Sequence, residues 1–413
     1  MPQTTMARGD LFAQVLDPAN RPTPYPLYAH LRETPVTLQD DGTYVVSTYR
    51  EIIALLHDPR ISSDERKSAR GAGALAASGR LTPEGQPGNP AFIFLDPPDH
   101  DRLRRLVMHQ FTPERVGRMR DEVARLVGGL LDAQRDRDQL DIVDDLAYPL
   151  PVTVICELLG VPREDEPRFH GWPTALARSL DPAQGMSEEE VRQAAQAALQ
   201  MLEYLGGLVA ARRAHPADDL LSGLVAGDGP AGRMDERELL STMALLLIAG
   251  HETTVNLITN GMLTLLRHPD VLDRLRREPD LVITLVEEVL RYDPPVQFRT
   301  RTTLTDVDIA GVSIPKGATV VLLLASGSRD PSRFPDADRF VPDRTDNAHL
   351  GFGGGIHYCV GAPLARLEAQ IALRTLARRL VGPRPVADPP PYRENASLRG
   401  PRHLVVAVDR LGD

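Results

Sequence analysis

The residues best placed to do chemistry in this 413-residue chain lie near its C-terminus, in Phe352-Gly353-Gly354-Gly355-Ile356-His357-Tyr358-Cys359-Val360-Gly361, a glycine-rich loop carrying one cysteine. Glycines at 353, 354 and 355 open backbone angles closed to other residues, so the chain can fold tightly around a group presented by Cys359. The loop runs into Ala362-Pro363-Leu364-Ala365-Arg366. Pro363 suits the first turn of a helix, whose unpaired N–H groups and positive dipole end then lie near the sulfur. That environment favours thiolate. A thiolate in a tight, amide-lined loop is either a nucleophile or a metal ligand, and a buried structural cysteine beside a turn is the plain alternative.

A second cluster is Ala249-Gly250-His251-Glu252-Thr253-Thr254, in the apolar middle of a helix expected from about 235 to 267. Asp235 caps that helix, with Glu238 three residues on in a capping-box arrangement, and Pro269 follows its end. A glycine, an acid and two adjacent threonines in the centre of a buried helix cost propensity and burial. Such inconsistency marks function. Small residues at 249 and 250 let a flat ligand approach the backbone, and a threonine can bond back to the carbonyl one turn earlier. A tolerated polar kink is the alternative. Two weaker signals are Glu288 with Arg291, able to pair as a fork on one helical face, and His100 with Arg104, four apart on another. The latter pair can bind a dianion or line a solvated face.

The order Phe, two residues, Gly, any residue, His, any residue, Cys, any residue, Gly resembles the haem-binding loop of cytochromes P450. The resemblance implies Cys359 as the axial thiolate on iron, Phe352 packed against the haem on the cysteine side, and His357 reaching a propionate. It makes His100 and Arg104 a propionate-binding pair and Arg301 the other propionate arginine, with Arg299 replacing or assisting it. Ala249 and Gly250 then border the oxygen-binding groove, Thr253 holds a hydrogen-bond network to dioxygen, and Glu252 links that network to outside protons. Glu288 and Arg291, about seventy residues before Cys359, match the family's structural pair, with Arg339 as a candidate third member. Arg102 and Arg105 are expected on the surface nearest the cysteine side, where an acidic redox partner could dock.

Several elements must position these groups. Val36-Thr37-Leu38 and Tyr44-Val45-Val46-Ser47 flank the turn dipeptide Asp41-Gly42 and read as a hairpin. A helix follows from Tyr49 to His57, stopped by Pro59. Residues 61–95 lose periodicity and read as a long loop, which the resemblance makes a mobile lid over the substrate pocket. From Arg115 to about Arg213 the chain is mostly helical, broken around Pro167 to Gly185, near Trp172, Leu176 and Leu180. After Pro295 the chain turns extended. Arg299 and Arg301 alternate onto one strand face, with Val296 and Phe298 near the pocket wall. Further strands are expected at Val307–Ile309, Val312–Ile314, Thr319–Leu323 and His403–Val408.

Composition bounds the rest. The net charge is −10, with both signs mixed along the chain, and no basic tract points to nucleic acid. Two cysteines are too few for a disulfide framework. They fit a reducing cytoplasm, and Cys156, in an apolar run, reads as core filler. The first ten residues are polar, without the apolar core of a signal peptide or membrane anchor, and the longest apolar stretch, Leu239 to Gly250, is too short to span a membrane.

The expectation is therefore a single cytochrome P450 domain over residues 1–413, mainly α with a smaller β portion, of the bacterial type and cytoplasmic. Its activity would be hydroxylation or epoxidation of a bulky, largely apolar small molecule, by family habit a polyketide macrolide or terpenoid. It would use haem b, O2, and electrons from a separate ferredoxin and ferredoxin reductase. A P450 catalysing coupling, rearrangement or dehydration is a second reading, and a haem-binding sensor or carrier a third. The intact Glu252-Thr253 pair argues against the last, since a sensor needs no proton relay.

Overall fold

In the computed structural model of the chain, residues 11–69, 90–172, 187–227 and 232–412 are described. The interior of the 61–95 loop, from 70 to 89, and Leu176 and Leu180 of the interrupted helical region lie outside them.

The molecule is built around one helix, Glu236–Arg267, which at 32 residues is about 48 Å long. Its start is fixed as the sequence predicts: Asp235 accepts from the Glu238 amide at 2.8 Å, and Glu238 accepts from the Asp235 amide at 2.9 Å. The apolar middle explains its place, because residues 251–265 are buried throughout except Thr253. Helices Pro149–Leu158, Glu188–Ala214 and Ala362–Arg379 pack around it. Gly261 sets the closest approach, since a Cβ there would lie 2.8 Å from Leu373 of the last helix. Cys156 is core, as expected, and burial pushes its thiol up to about 12.

The largest sheet among the described residues has five strands beside this helical body, in the order Val36–Leu38, Tyr44–Val46, Thr319–Leu322, Arg299–Thr303, Ile61–Ser62, and smaller sheets include the expected strands Val307–Ile309 and Val312–Ile314, paired with each other, and Val405–Ala407. The first two strands form the hairpin over Asp41-Gly42, with Gly42 at φ +80°. Tyr44–Val46 then pairs parallel with Thr319–Leu322, a contact between strands far apart in sequence. Strand Arg299–Thr303 lies antiparallel to it, Arg301 opposite Val320, so Arg299 and Arg301 share one face. Ile61–Ser62 closes the edge against Thr303 and Thr302, so the start of the 61–95 stretch is an ordered strand where the sequence suggested only loop. Helix Tyr49–Leu56 lies between the hairpin and that edge strand in the chain.

Glu288 and Arg291 are both fully buried and forked, with guanidinium nitrogens 2.8 Å from each carboxylate oxygen. Arg291 also donates to the carbonyls of Ser328, Ala337 and Arg339 at 3.1, 2.7 and 2.9 Å. The third member of the cluster is Arg344, whose Nε is 3.1 Å from Glu288, and not Arg339. Arg339 contributes only its carbonyl, while its exposed guanidinium faces Asp336 at 3.4 Å. The Val341 amide and Asn347 add bonds to Glu288 at 2.8 and 3.2 Å. This node fastens the strand-free stretch 328–347, which leads directly into the cysteine loop, onto helix Val282–Tyr292.

Candidate active site

The cysteine loop turns back on itself at its base. The Cys359 amide donates to the Phe352 carbonyl at 3.0 Å and the Gly353 amide to the Leu350 carbonyl at 2.8 Å. Gly353 and Gly355 take φ values of +73° and +63°, the left-handed region that favours glycine. Gly354 is extended at φ −167° and needs no such freedom. Gly355 has a second constraint, because a Cβ there would stand 2.0 Å from the Leu56 carbonyl oxygen. Gly355→Ala is expected to cost at least about 2 kcal/mol through backbone strain and the forced retreat of the loop. The checks are unfolding midpoint and haem content, and wild-type values for both would contradict the close approach.

Phe352 is held by a neighbour the sequence reading passed over. The Arg366 guanidinium lies 4.6 Å from the Phe352 ring centroid and forks onto Glu287 at 2.7 and 2.8 Å. Burial works against the Glu287 charge, but hydrogen bonds from Arg366 and His349 hold its carboxyl down at about 2.

One cavity of about 510 Å³ brings most of the predicted residues together. Phe352, His357 and Cys359 line it from the loop, Ala249, Gly250 and Thr253 from the long helix, Arg104 from helix Asp99–Met108, and Arg299 and Arg301 from the strand. Ala249 is exposed toward this space in the middle of a largely buried helix. His100 is one ring behind the wall, its centroid 4.3 Å from that of His357. Arg102 and Arg105 lie elsewhere on the same helix: Arg102 is tied to Glu238, while Arg105 is exposed and bonds the Asp101 carbonyl at 3.1 Å.

The electrostatics of this wall call for an anion. Desolvation and then the neighbouring Arg299 push half-buried Arg301 down to about 10, and its guanidinium donates to the Thr300 carbonyl at 2.8 Å. Burial lowers Arg104, which donates to the Tyr358 carbonyl, and burial followed by Arg301 and His100 pushes His357 down to about 3. His100 donates from Nδ1 to Asp101 at 2.8 Å, leaving Nε2 buried without a partner among the described residues. Arg104, Arg301 and His357 are each shifted toward the neutral form because the protein supplies too little counter-charge. The two carboxylates of a haem would supply it.

At the sulfur the structure corrects the sequence reading. Burial raises the Cys359 thiol, against the Gly361 amide, Arg104, Arg299 and Arg366, which act the other way. The loop amide and the arginines favour the thiolate, and burial opposes it. A bound metal cation makes the thiolate outright, so the donor set fits a single-thiolate metal site.

Across the cavity the Thr253 hydroxyl donates to the Ala249 carbonyl at 2.6 Å, as expected, yet the helix runs on unbroken. Glu252 is not on the cavity wall. It is buried on another side of the helix, paired with Arg393 at 2.7 Å. Burial raises its carboxyl, against Arg393 and Arg402. The sequence reading also missed Glu368, a buried acid that does line the cavity. Its Oε2 has no partner among the described residues, and burial pushes it up to about 8. The available signal was an acid among Leu364, Leu367, Ile371 and Ala372 on one apolar helix stripe.

The protein-family model described as Cytochrome P450 matches residues 166–405. This chain belongs to the cytochrome P450 family. The P450 is 44% identical to cytochrome P450 monooxygenase PikC of Streptomyces venezuelae over 365 residues, covering 86% of this chain and 83% of that protein. It is 40% identical to 6-deoxyerythronolide B hydroxylase of Saccharopolyspora erythraea, covering 93% and 96% respectively. Among solved structures, ligand-free CYP164A2 of Mycobacterium smegmatis superposes with a TM-score of 0.89 at 43% identity, covering 97% of this chain and all of that one. The P450 is thus an enzyme of the monooxygenase family, which works with haem, dioxygen, a small-molecule substrate and a redox partner. No helix among its described residues is long and apolar enough to cross a membrane.

Proposed function

We propose that this P450 is a haem-thiolate monooxygenase acting on a bulky, largely apolar natural product of the polyketide macrolide or terpenoid kind. One observation carries the reading: a single cavity is bordered by a cysteine loop, an anion-seeking cluster and a helix face kept small at Ala249 and Gly250. The substrate class is favoured by apolar walls that include Phe92, Leu245, Ile248, Val296 and Leu398, and by the relative named for 6-deoxyerythronolide B.

Bound haem b would supply the chemistry of dioxygen activation and oxygen insertion. Cys359 is the residue that would ligate its iron, with Phe352 packed beside the sulfur. Arg104, Arg301, His100 and His357 would hold its carboxylates, with Arg299 in reach. The apolar walls orient the substrate and exclude water, which strengthens every polar interaction inside. The Thr253 hydroxyl stands at the cavity surface, where it can hold a proton and pass it on. Glu252, next in the chain, is the acid that would resupply it.

Electrons are proposed to come from a ferredoxin and its reductase. Exposed Ile356 and Tyr358 of the cysteine loop, joined through the Tyr358 carbonyl to Arg104 of the helix that carries exposed Arg105 and Met108, suit docking of a small acidic protein. The experiment for the substrate is titration with macrolides, terpenoids and steroids, read as a low-to-high-spin shift. The account expects a shift with macrolides or terpenoids, and a response to steroids alone would contradict it. Thr253→Ala is expected to lower product formed per electron pair by about tenfold or more, with peroxide rising in step. Unchanged product yield would remove Thr253 from the relay.

A further inference from the structure

A second cavity, of about 350 Å³, shares no lining residue with the active site. Helix Tyr25–Arg32 and the residues before it supply Pro22, Tyr25, Pro26 and Ala29 to its wall, and the end of the long helix supplies Arg267, with His268 just after it. Most of its charged groups are already committed. Arg399 gives Nε to the Arg21 carbonyl at 2.6 Å, Nη1 to Asp293, and Nη2 to the Pro22 carbonyl and the Tyr392 hydroxyl, both at 3.1 Å. Tyr25 donates its hydroxyl to the same Asp293. Arg267 forks onto Asp388, and His268 spends Nδ1 on the Thr264 carbonyl at 2.8 Å.

Arg329, on the same wall, is not. Only 7% of its side chain is exposed, yet its one hydrogen bond among the described residues runs from Nε to the Tyr292 carbonyl at 2.7 Å. The guanidinium lies between two aromatic faces, 3.4 Å from the Tyr25 ring centroid and 3.7 Å from that of Tyr292. With both of its own faces covered, the edge bearing Nη1 and Nη2 is what remains for a partner. Asp338 comes no nearer than 3.6 Å, and 74% of its side chain is exposed, so water screens the pair. A buried guanidinium whose terminal nitrogens lack acceptors is costly until something completes it.

We propose that this cavity is a second binding site, for a small organic monocarboxylate whose carboxylate forks onto the terminal nitrogens of Arg329. The planar edge of a guanidinium matches a carboxylate with two parallel donors. Charge sets the rest of the class. Asp293 already offsets Arg399 and Asp388 offsets Arg267, so Arg329 contributes the one positive charge left for a ligand. A phosphate dianion brings more charge than that and meets Asp293 and Asp338 on the same wall. The body of the ligand lies against Pro22, Pro26 and Ala29, and Asp338 withdraws into water. The site also touches the scaffold of the cysteine loop, because Arg329 follows Ser328, whose carbonyl accepts from Arg291 and whose hydroxyl accepts from the Leu350 amide, both at 3.1 Å. Occupancy therefore steadies that segment and raises the unfolding midpoint.

The test is calorimetric titration of the haem-loaded protein with benzoate and, separately, with inorganic phosphate at pH 8. Benzoate should fill one saturable site with a Kd of about 1 mM or tighter, while the haem absorption spectrum stays still. Asp338→Asn should tighten binding by about two- to fivefold, because it removes a weakly held competing carboxylate. Arg329→Gln, and Ala29→Phe, which fills the cavity from an exposed helix position, should each weaken it by about tenfold or more. No saturation below about 10 mM, or unchanged binding in R329Q, would overturn the proposal. So would phosphate binding more tightly than benzoate, or a spin-state shift that tracks the heat and so places benzoate in the active-site cavity. Should R329Q fail to fold, A29F and D338N decide, and wild-type affinity in both overturns the assignment.

Discussion

Arg291→Ala is expected to destabilise the protein by about 3–5 kcal/mol, the range seen when one partner of a buried ion pair is removed. Arg291 and Glu288 have no exposed surface, and the guanidinium also satisfies three main-chain carbonyls between residues 328 and 339. Truncation leaves those carbonyls unpaired and removes the fork from Glu288, which keeps Arg344, Asn347 and the Val341 amide. The remaining partners hold Glu288 in place but not the segment around it. The loss should therefore show as a lower unfolding midpoint and as poorer haem retention. Arg291→Lys restores charge without the planar fork and should recover only part of the stability. Wild-type stability in R291A would show that the node is not what anchors the approach to the cysteine loop.

Cys359→Ser is expected to abolish monooxygenation while the apoprotein folds as before. The change keeps side-chain size and leaves the bond from the residue 359 amide to Phe352, which sets the loop's shape. What it removes is the one soft anionic donor on that side of the cavity, and neutral hydroxyl oxygen is a poor replacement. Circular dichroism and the unfolding midpoint report the fold, while haem titration and product analysis report the site. Product formation at even a few per cent of wild type would mean that another group serves as ligand.

The parts legible in the sequence were those specified by neighbours along the chain. The capping box at Asp235, Gly353 and Gly355 of the 352–361 loop, the turn at Asp41-Gly42 and the Glu288–Arg291 spacing are all local, and each took the predicted form, while Gly354 is extended. The cavity wall was legible through alternation, since Arg299 and Arg301 must share a strand face. What escaped depended on residues distant in the chain. Arg344 approaches Glu288 from 56 positions away, and Arg393 reaches Glu252 only because the 391–402 turn-back folds against the long helix. Arg339 was the reasonable choice by position, but its main chain is used and its side chain is not. Burial, too, is a tertiary property: it raises the Cys359 thiol that the loop sequence alone would leave ionised.

The central claim is that Cys359 ligates haem iron through its sulfur. Its most direct test is the absorption spectrum of the purified protein, reduced and exposed to carbon monoxide. The account predicts a strongly red-shifted Soret band, the signature of an anionic sulfur ligand opposite the gas. An ordinary histidine-type haem spectrum, or a protein that takes up no haem, would contradict it.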